Sequence, residues 1–127
     1  MCALLTLSKV GKVYGNRSIF RDIGLMLSEG ESLAITGPSG CGKSTLLNII
    51  GLLESHSSGT ITLDNLPYPS INSSKAARIR KELISYLFQS YALIQSQSAL
   101  DNVLLGMKYA HGSREEKRNR AHELLKR

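Results

Sequence analysis

The stretch Gly37-Pro38-Ser39-Gly40-Cys41-Gly42-Lys43-Ser44-Thr45 decides how the rest of the chain is read. It fills the pattern G-x-x-x-x-G-K-[ST] completely. Each residue type has a physical job there. The glycines let the backbone turn tightly, so that its N–H groups point inward at bound phosphates. A helix opening at Lys43 aims the positive end of its dipole at the same anions. The Lys43 ammonium supplies a mobile charge for β and γ phosphates, and the Ser44 hydroxyl is a hard oxygen ligand for Mg²⁺. Thr45 can hydrogen-bond an α phosphate. At average residue usage the pattern arises by chance in roughly half a percent of chains this long. The segment Gly37–Thr45 therefore predicts a cradle for a nucleoside triphosphate with its magnesium ion.

The flanking sequence gives the loop a context. Before it, Ser32-Leu33-Ala34-Ile35-Thr36 is short, apolar and bounded by turns, which predicts a buried strand. After it, Lys43 to Leu53 is apolar on nearly every side, which predicts a deeply packed helix. Strand, glycine loop and helix in that order open an α/β domain. Further out, Ala3 to Val10 alternates as a strand does. Turns are expected at Gly11 and at Tyr14-Gly15-Asn16, and Ile19, Ile23, Leu25 and Leu27 mark a second strand. These two strands form an antiparallel β layer, and Gly59–Leu63 predicts another short strand. Pro67 and Pro69 mark a loop, and Ala76, Ile79 and Leu83 predict a helix starting near Ser73. Ile84 to Phe88 reads as another strand. The pairs Ser98/Asp101 and Ser113/Glu116 predict two capped helices, the second polar and running to the last residue.

Bulk properties exclude several classes. The 127 residues suit one domain or part of one, and 42% hydrophobic content is too high for a disordered chain. No stretch approaches the roughly 18 apolar residues of a membrane span, and the N-terminus lacks a signal-peptide core. A cytosolic protein is expected. Cys2 and Cys41 match no zinc or redox spacing and read as reduced thiols; Cys41, at a helix N-terminus, is the more reactive candidate. The net charge of +6 lies wholly in residues 75–127, because residues 1–74 hold five basic and five acidic side chains. No aromatic residues are interleaved with the basic ones as a single-strand platform requires, so no nucleic acid is expected as a partner.

Other segments carry a family resemblance. Tyr14 stands 23 residues ahead of Gly37. Tyr86-Leu87-Phe88-Gln89 precedes Ser90-Tyr91-Ala92-Leu93-Ile94. Gly59 to Asp64 and Ala99-Leu100-Asp101-Asn102-Val103 complete the set. Together with the phosphate loop they resemble the ATP-binding cassette (ABC) ATPases that power membrane transporters. The segment Leu47 to Leu53 looks most like the subfamily exporting macrolides, lipoproteins or bacteriocin-type peptides. The resemblance implies a P-loop NTPase fold of the ABC type: an α/β domain with an N-terminal antiparallel β layer, an incomplete core sheet and the start of a helical subdomain. It assigns residues 1–30 and 57–70 to the β layer, 31–54 and 83–89 to the core, and 72–82 and 90–127 to helical elements. It implies that Tyr14 stacks on adenine and that Gln89 touches Mg²⁺ and the attacking water. Lys43 and Gln89 are thus the expected catalytic residues, and Ser44 and Gln89 the expected metal contacts.

The family's LSGGQ signature, its Asp-Glu strand and its switch histidine are not found in these 127 residues; His56, His111 and His122 stand elsewhere. The chain is therefore expected to correspond to the N-terminal part of such an ATPase, binding ATP and Mg²⁺ without efficient hydrolysis by itself. The resemblance also implies a transmembrane permease and a second ATPase subunit as partners, at the inner face of the cell membrane. Two other readings stay open: another P-loop phosphotransferase, or a non-catalytic fragment that binds nucleotide or a partner.

Overall fold

The computed structural model describes residues 3–126; Cys2 and Arg127 lie outside the described residues. The chain divides into two compact units, one ending at Ser85 and one beginning at Tyr86.

The first unit is built on a four-stranded antiparallel sheet in the order β2-β1-β3-β4. Strand β1 (Ala3–Tyr14) and strand β2 (Arg17–Ser28) form a hairpin closed by the pair Tyr14 and Arg17. The intervening residues begin with Gly15, at φ +55°, as a tight two-residue hairpin turn favours. Strand β3 (Ser58–Leu63) pairs with β1 and β4 (Leu66–Pro67) with β3. Asp64 and Asn65 connect those last two with φ of +49° and +59°, the backbone signature of a type I′ turn. The turn expected at Gly11 is instead an interruption of register within β1, which runs on for 12 residues. Strands approach closely there. A Cβ on Gly11 would stand 2.5 Å from Ser58 Oγ and 3.4 Å from the Phe20 carbonyl oxygen, so glycine marks a bulge and not the end of a strand.

Helix α1 (Lys43–Ile50) covers one face of this sheet, and its Leu46 and Ile49 join Leu5, Leu7, Val10 and Ile61 in the core. The helix is packed along one side only. Leu47 and Leu53 are exposed, which corrects the expectation of deep packing all round. Leu52, beyond the helix, is buried and adopts φ +55°. Leu53 N–H donates to the Asn48 carbonyl and Leu52 N–H to that of Ile49, the paired bonds of a Schellman termination. A glycine usually takes the left-handed position; leucine accepts about 1 kcal/mol of strain there, and burial of its side chain offsets it. Three side chains hold the carbonyls around this end. Tyr68 donates to Ile50 (2.6 Å), Arg80 to Leu52 (2.9 Å) and Lys12 to Ser55 (2.6 Å). Burial pushes the Tyr68 phenol up to about 12, so it remains a donor throughout the physiological range. Helix α2 (Ser74–Glu82) starts where expected, with Ser73 accepting from the Ala76 N–H.

The two predicted core strands do not form. Residues 31–37 and 84–88 carry no strand assignment and pair with no strand among the described residues. Leu33 and Leu87 are exposed, and of the first segment only Ile35 packs against the core. Apolar composition permits a strand, but a ladder partner makes one.

In the second unit, helix α3 (Ala99–Gly106) is capped by Ser98 and helix α4 (Arg114–Leu125) by a full capping box of Ser113 and Glu116. Both caps are those expected. The Glu116 carboxyl is held below its usual range by the backbone N–H and side chain of Ser113. Asn102 ties the preceding loop to α3. Its side chain accepts from Ile94 N–H at 2.8 Å and donates to the carbonyls of Ile94 and Ser98. Ala121 is buried in this unit.

Candidate nucleotide site

Gly37, Gly40 and Gly42 adopt φ of +148°, +79° and +98°, values that ordinary side chains rarely reach. At Gly42 space is limiting as well. A Cβ there would lie 2.7 Å from Ile19 and 2.9 Å from Phe20, so strand β2 backs the loop directly. Gly42 is also the N-cap of α1, and it makes no side-chain capping bond; no acidic residue occupies the first turn. The helix thus presents its positive end to whatever the loop encloses. Lys43 reaches back across the loop. Its Nζ donates to the carbonyls of Gly37 (2.9 Å) and Pro38 (2.8 Å) and lies 3.8 Å from Cys41 Sγ. The loop therefore carries a cation within its own curve, where it can exchange carbonyl partners for phosphate oxygens.

These features fit a triphosphate. Ser44, exposed in the first turn of α1, offers a hydroxyl to a divalent ion. Among the described residues no group of three or more His, Cys, Asp or Glu side chains could hold a metal. A magnesium ion held at Ser44 would take its other ligands from phosphates and water.

Tyr14, the last residue of β1, is 47% exposed. Its hydroxyl donates to Glu54, and the Thr45 hydroxyl lies beside the same oxygen. The fold thus brings Tyr14 to the helix that begins at the loop. Lys12, 7% exposed, pairs with Glu54 at 2.9 Å, and its Nζ lies 4.8 Å from the Tyr14 ring centroid. The bond to Glu54, with partial desolvation, pushes the Tyr14 phenol above its ordinary range, against the opposing pull of Thr45 and Lys12. Partial desolvation pushes the Glu54 carboxyl upward, but the bonds from Tyr14 and Lys12 and the Lys12 charge outweigh it and hold the group below the usual range. Sequence reading missed Lys12 and Glu54. They are 42 positions apart, and the one available signal was a lysine inside the apolar run from Val10 to Val13.

Gln89 belongs to the second unit. It is exposed, in a turn, and just precedes Tyr91 and Ala92 with φ of +62° and +50°.

A sheet-backed glycine loop leading into a helix defines a phosphate-loop protein of the nucleotide-binding class. The ABC transporter family profile matches residues 20–127, and the chain belongs to that family. It is 44% identical to the Bacillus subtilis "Uncharacterized ABC transporter ATP-binding protein YvrO", over 96% of this chain and 55% of that protein. It is 39% identical to the Escherichia coli "Macrolide export ATP-binding/permease protein MacB", over 98% of this chain and 20% of that protein. A Bordetella pertussis relative, the "Lipoprotein-releasing system ATP-binding protein LolD", is 36% identical over 91% of this chain and 52% of its own length. The ATP-binding cassette MJ0796, solved in a dimeric post-hydrolysis state bound to ADP and Pi, superposes with a TM-score of 0.84 at 37% identity, covering 96% of this chain and 56% of that one. The chain thus spans about half the length of YvrO, LolD and this cassette.

Proposed function

We propose that the chain is the ATP-binding part of an ABC membrane transporter, coupling ATP binding and hydrolysis to export of a peptide, lipid or drug-like substrate. The observation that carries this reading is the loop itself: three positive-φ glycines, an uncapped helix start and a lysine folded across them. In this reading, backbone N–H groups of Gly37 to Thr45 and the Lys43 ammonium bind the phosphates. Ser44 shares the magnesium ion, and Tyr14 offers its ring to the adenine. Gln89 contacts the ion and the attacking water. ATP binding and hydrolysis would supply the driving free energy, and positioning and charge are what this chain contributes.

The names of MacB and LolD support an exported substrate. The dimeric cassette supports a second ATPase subunit, and the combined ATP-binding/permease name of MacB supports a permease partner. The work would take place at the inner face of the membrane; among the described residues no helix is long and apolar enough to cross it. These 127 residues carry no Asp-Glu strand to supply a general base, so they bind nucleotide and turn it over negligibly by themselves.

Calorimetric titration of wild type and Lys43→Ala with ATP and magnesium tests the reading. Wild type should bind and the variant should bind much more weakly; equal affinities would refute the loop assignment. Robust ATP turnover by the 127-residue chain would refute the statement about hydrolysis.

A further inference from the structure

We propose that Lys12 and Glu54 are positioning residues for base recognition: they hold the Tyr14 ring beside the loop's helix with one face covered, leaving the other as a platform for an aromatic base. The proposal rests on the nucleotide reading above. It starts from an awkward placement. Tyr14 ends a strand, next to a two-residue turn, and is half exposed. An untethered tyrosine there would sample several rotamers, and a base would have to stop that motion to stack on it. Here the hydroxyl is tethered. It donates to Glu54; Glu54 is held at 2.9 Å by Lys12; and Lys12 is nearly buried and anchored on the Ser55 carbonyl at 2.6 Å. The anchor is inside the fold and the platform outside.

The same ammonium makes the platform one-sided, because it lies 4.8 Å from the ring centroid. A cation at that distance is attracted to the ring face and occupies it. A base is thereby directed to the opposite face. The tether also sets a position. Thr45, beside the Tyr14 oxygen, lies in the first turn of α1, and Glu54 folds back onto that helix, its N–H donating to the Asn48 carbonyl at 3.3 Å. The base anchor is therefore fixed against the helix that opens at the phosphate cradle. Lys12 and Glu54 touch neither phosphate nor metal in this scheme, so they should alter what the base contributes and leave the phosphates alone.

The test compares two magnesium-bound ligands, ATP and inorganic tripolyphosphate, by calorimetry on the full chain. The ratio of their affinities reads what the adenosine adds, and its change on altering the Tyr14 ring reads the base. Tyr14→Ala should lower that ratio about tenfold, as loss of an aromatic stacking partner does. Tyr14→Phe, Glu54→Ala and Lys12→Met should each lower it about threefold. Glu54→Gln, whose amide oxygen still accepts from Tyr14, should stay within about twofold of wild type. Tripolyphosphate affinity should hold in all five. The proposal is overturned if Tyr14→Ala lowers the ratio while Tyr14→Phe and Glu54→Ala keep the wild-type value. Should Glu54→Ala fail to fold, Tyr14→Phe decides, since it removes only an exposed hydroxyl. An unchanged ratio in Tyr14→Ala overturns the platform and the proposal together. Unchanged tripolyphosphate binding in Lys43→Ala overturns the phosphate-loop reading instead, so the two failures are told apart.

Discussion

The loop from Gly37 to Thr45 is backed by Ile19 and Phe20 of β2, and the helix it opens sets Leu46 and Ile49 into a closed core. The segment from Ile84 to Gln89 pairs with no strand among the described residues, and Leu87 and Phe88 stand exposed. Both segments are apolar-flanked and both end in a residue expected to meet nucleotide. The contrast teaches where positional order comes from. The loop's shape follows from its own glycines and from the elements next to it in sequence. A glutamine at the end of a strand is positioned only as well as that strand is paired.

The contrast makes measurable demands. The largest effect is expected in the core beneath the loop. Ile49 is 1% exposed, so Ile49→Ala should cost about 3 kcal/mol in denaturant unfolding. Leu93, at 64% exposure, should cost less than about 0.5 kcal/mol when cut to alanine. Equal losses would break the contrast. Next comes ligand binding. Lys43→Ala should weaken Mg-ATP about thirtyfold, or about 2 kcal/mol, as loss of charged hydrogen bonds does. Gln89→Ala leaves every phosphate contact proposed for the loop in place and should change affinity by no more than about twofold; an equal loss at both positions would contradict that division.

A smaller effect sharpens the picture of the second unit. Ser113→Ala removes a reciprocal cap and should destabilise α4 by about 1 kcal/mol, seen as lost helical circular dichroism, with ATP affinity unchanged. The smallest is a pH effect on the first unit. Glu54 titrates below its ordinary 4.5 in the folded chain, so its contribution to stability is complete above that pH. It is lost as pH falls through the lower folded-state value. Glu54→Gln should therefore flatten the stability profile in this acid window, and an identical acid slope in both proteins would contradict the network.

Legibility followed the range of the interactions. Ser98 and Ser113 are legible as caps because a cap bonds to an N–H three positions on, and near Ser73 the sequence shows only that a helix starts. The β1–β2 hairpin was readable from alternation and from Gly15-Asn16, though the bulge at Gly11 passed for a turn. A bulge and a turn ask the same of glycine locally, and only Ser58 and Phe20 across the sheet tell them apart. Composition alone predicts deep packing for Lys43 to Leu53, because it does not say how many faces find a neighbour. Leu52 in a left-handed position was not foreseeable at all, since its burial is what compensates for the strain.

The sequence by itself determined the phosphate loop, the helix starts and the family, because those depend on residue types a few positions apart and on the freedom of glycine, which lacks a Cβ, to take positive φ. Only the tertiary structure decided that Lys12, Glu54 and Tyr14 form one network, that 32–36 and 84–88 join no strand ladder among the described residues, and that the chain divides near Ser85. The physical reason is the same in each case. An ion pair across 42 residues and a ladder between strands are properties of two segments at once, and neither segment carries its partner's address.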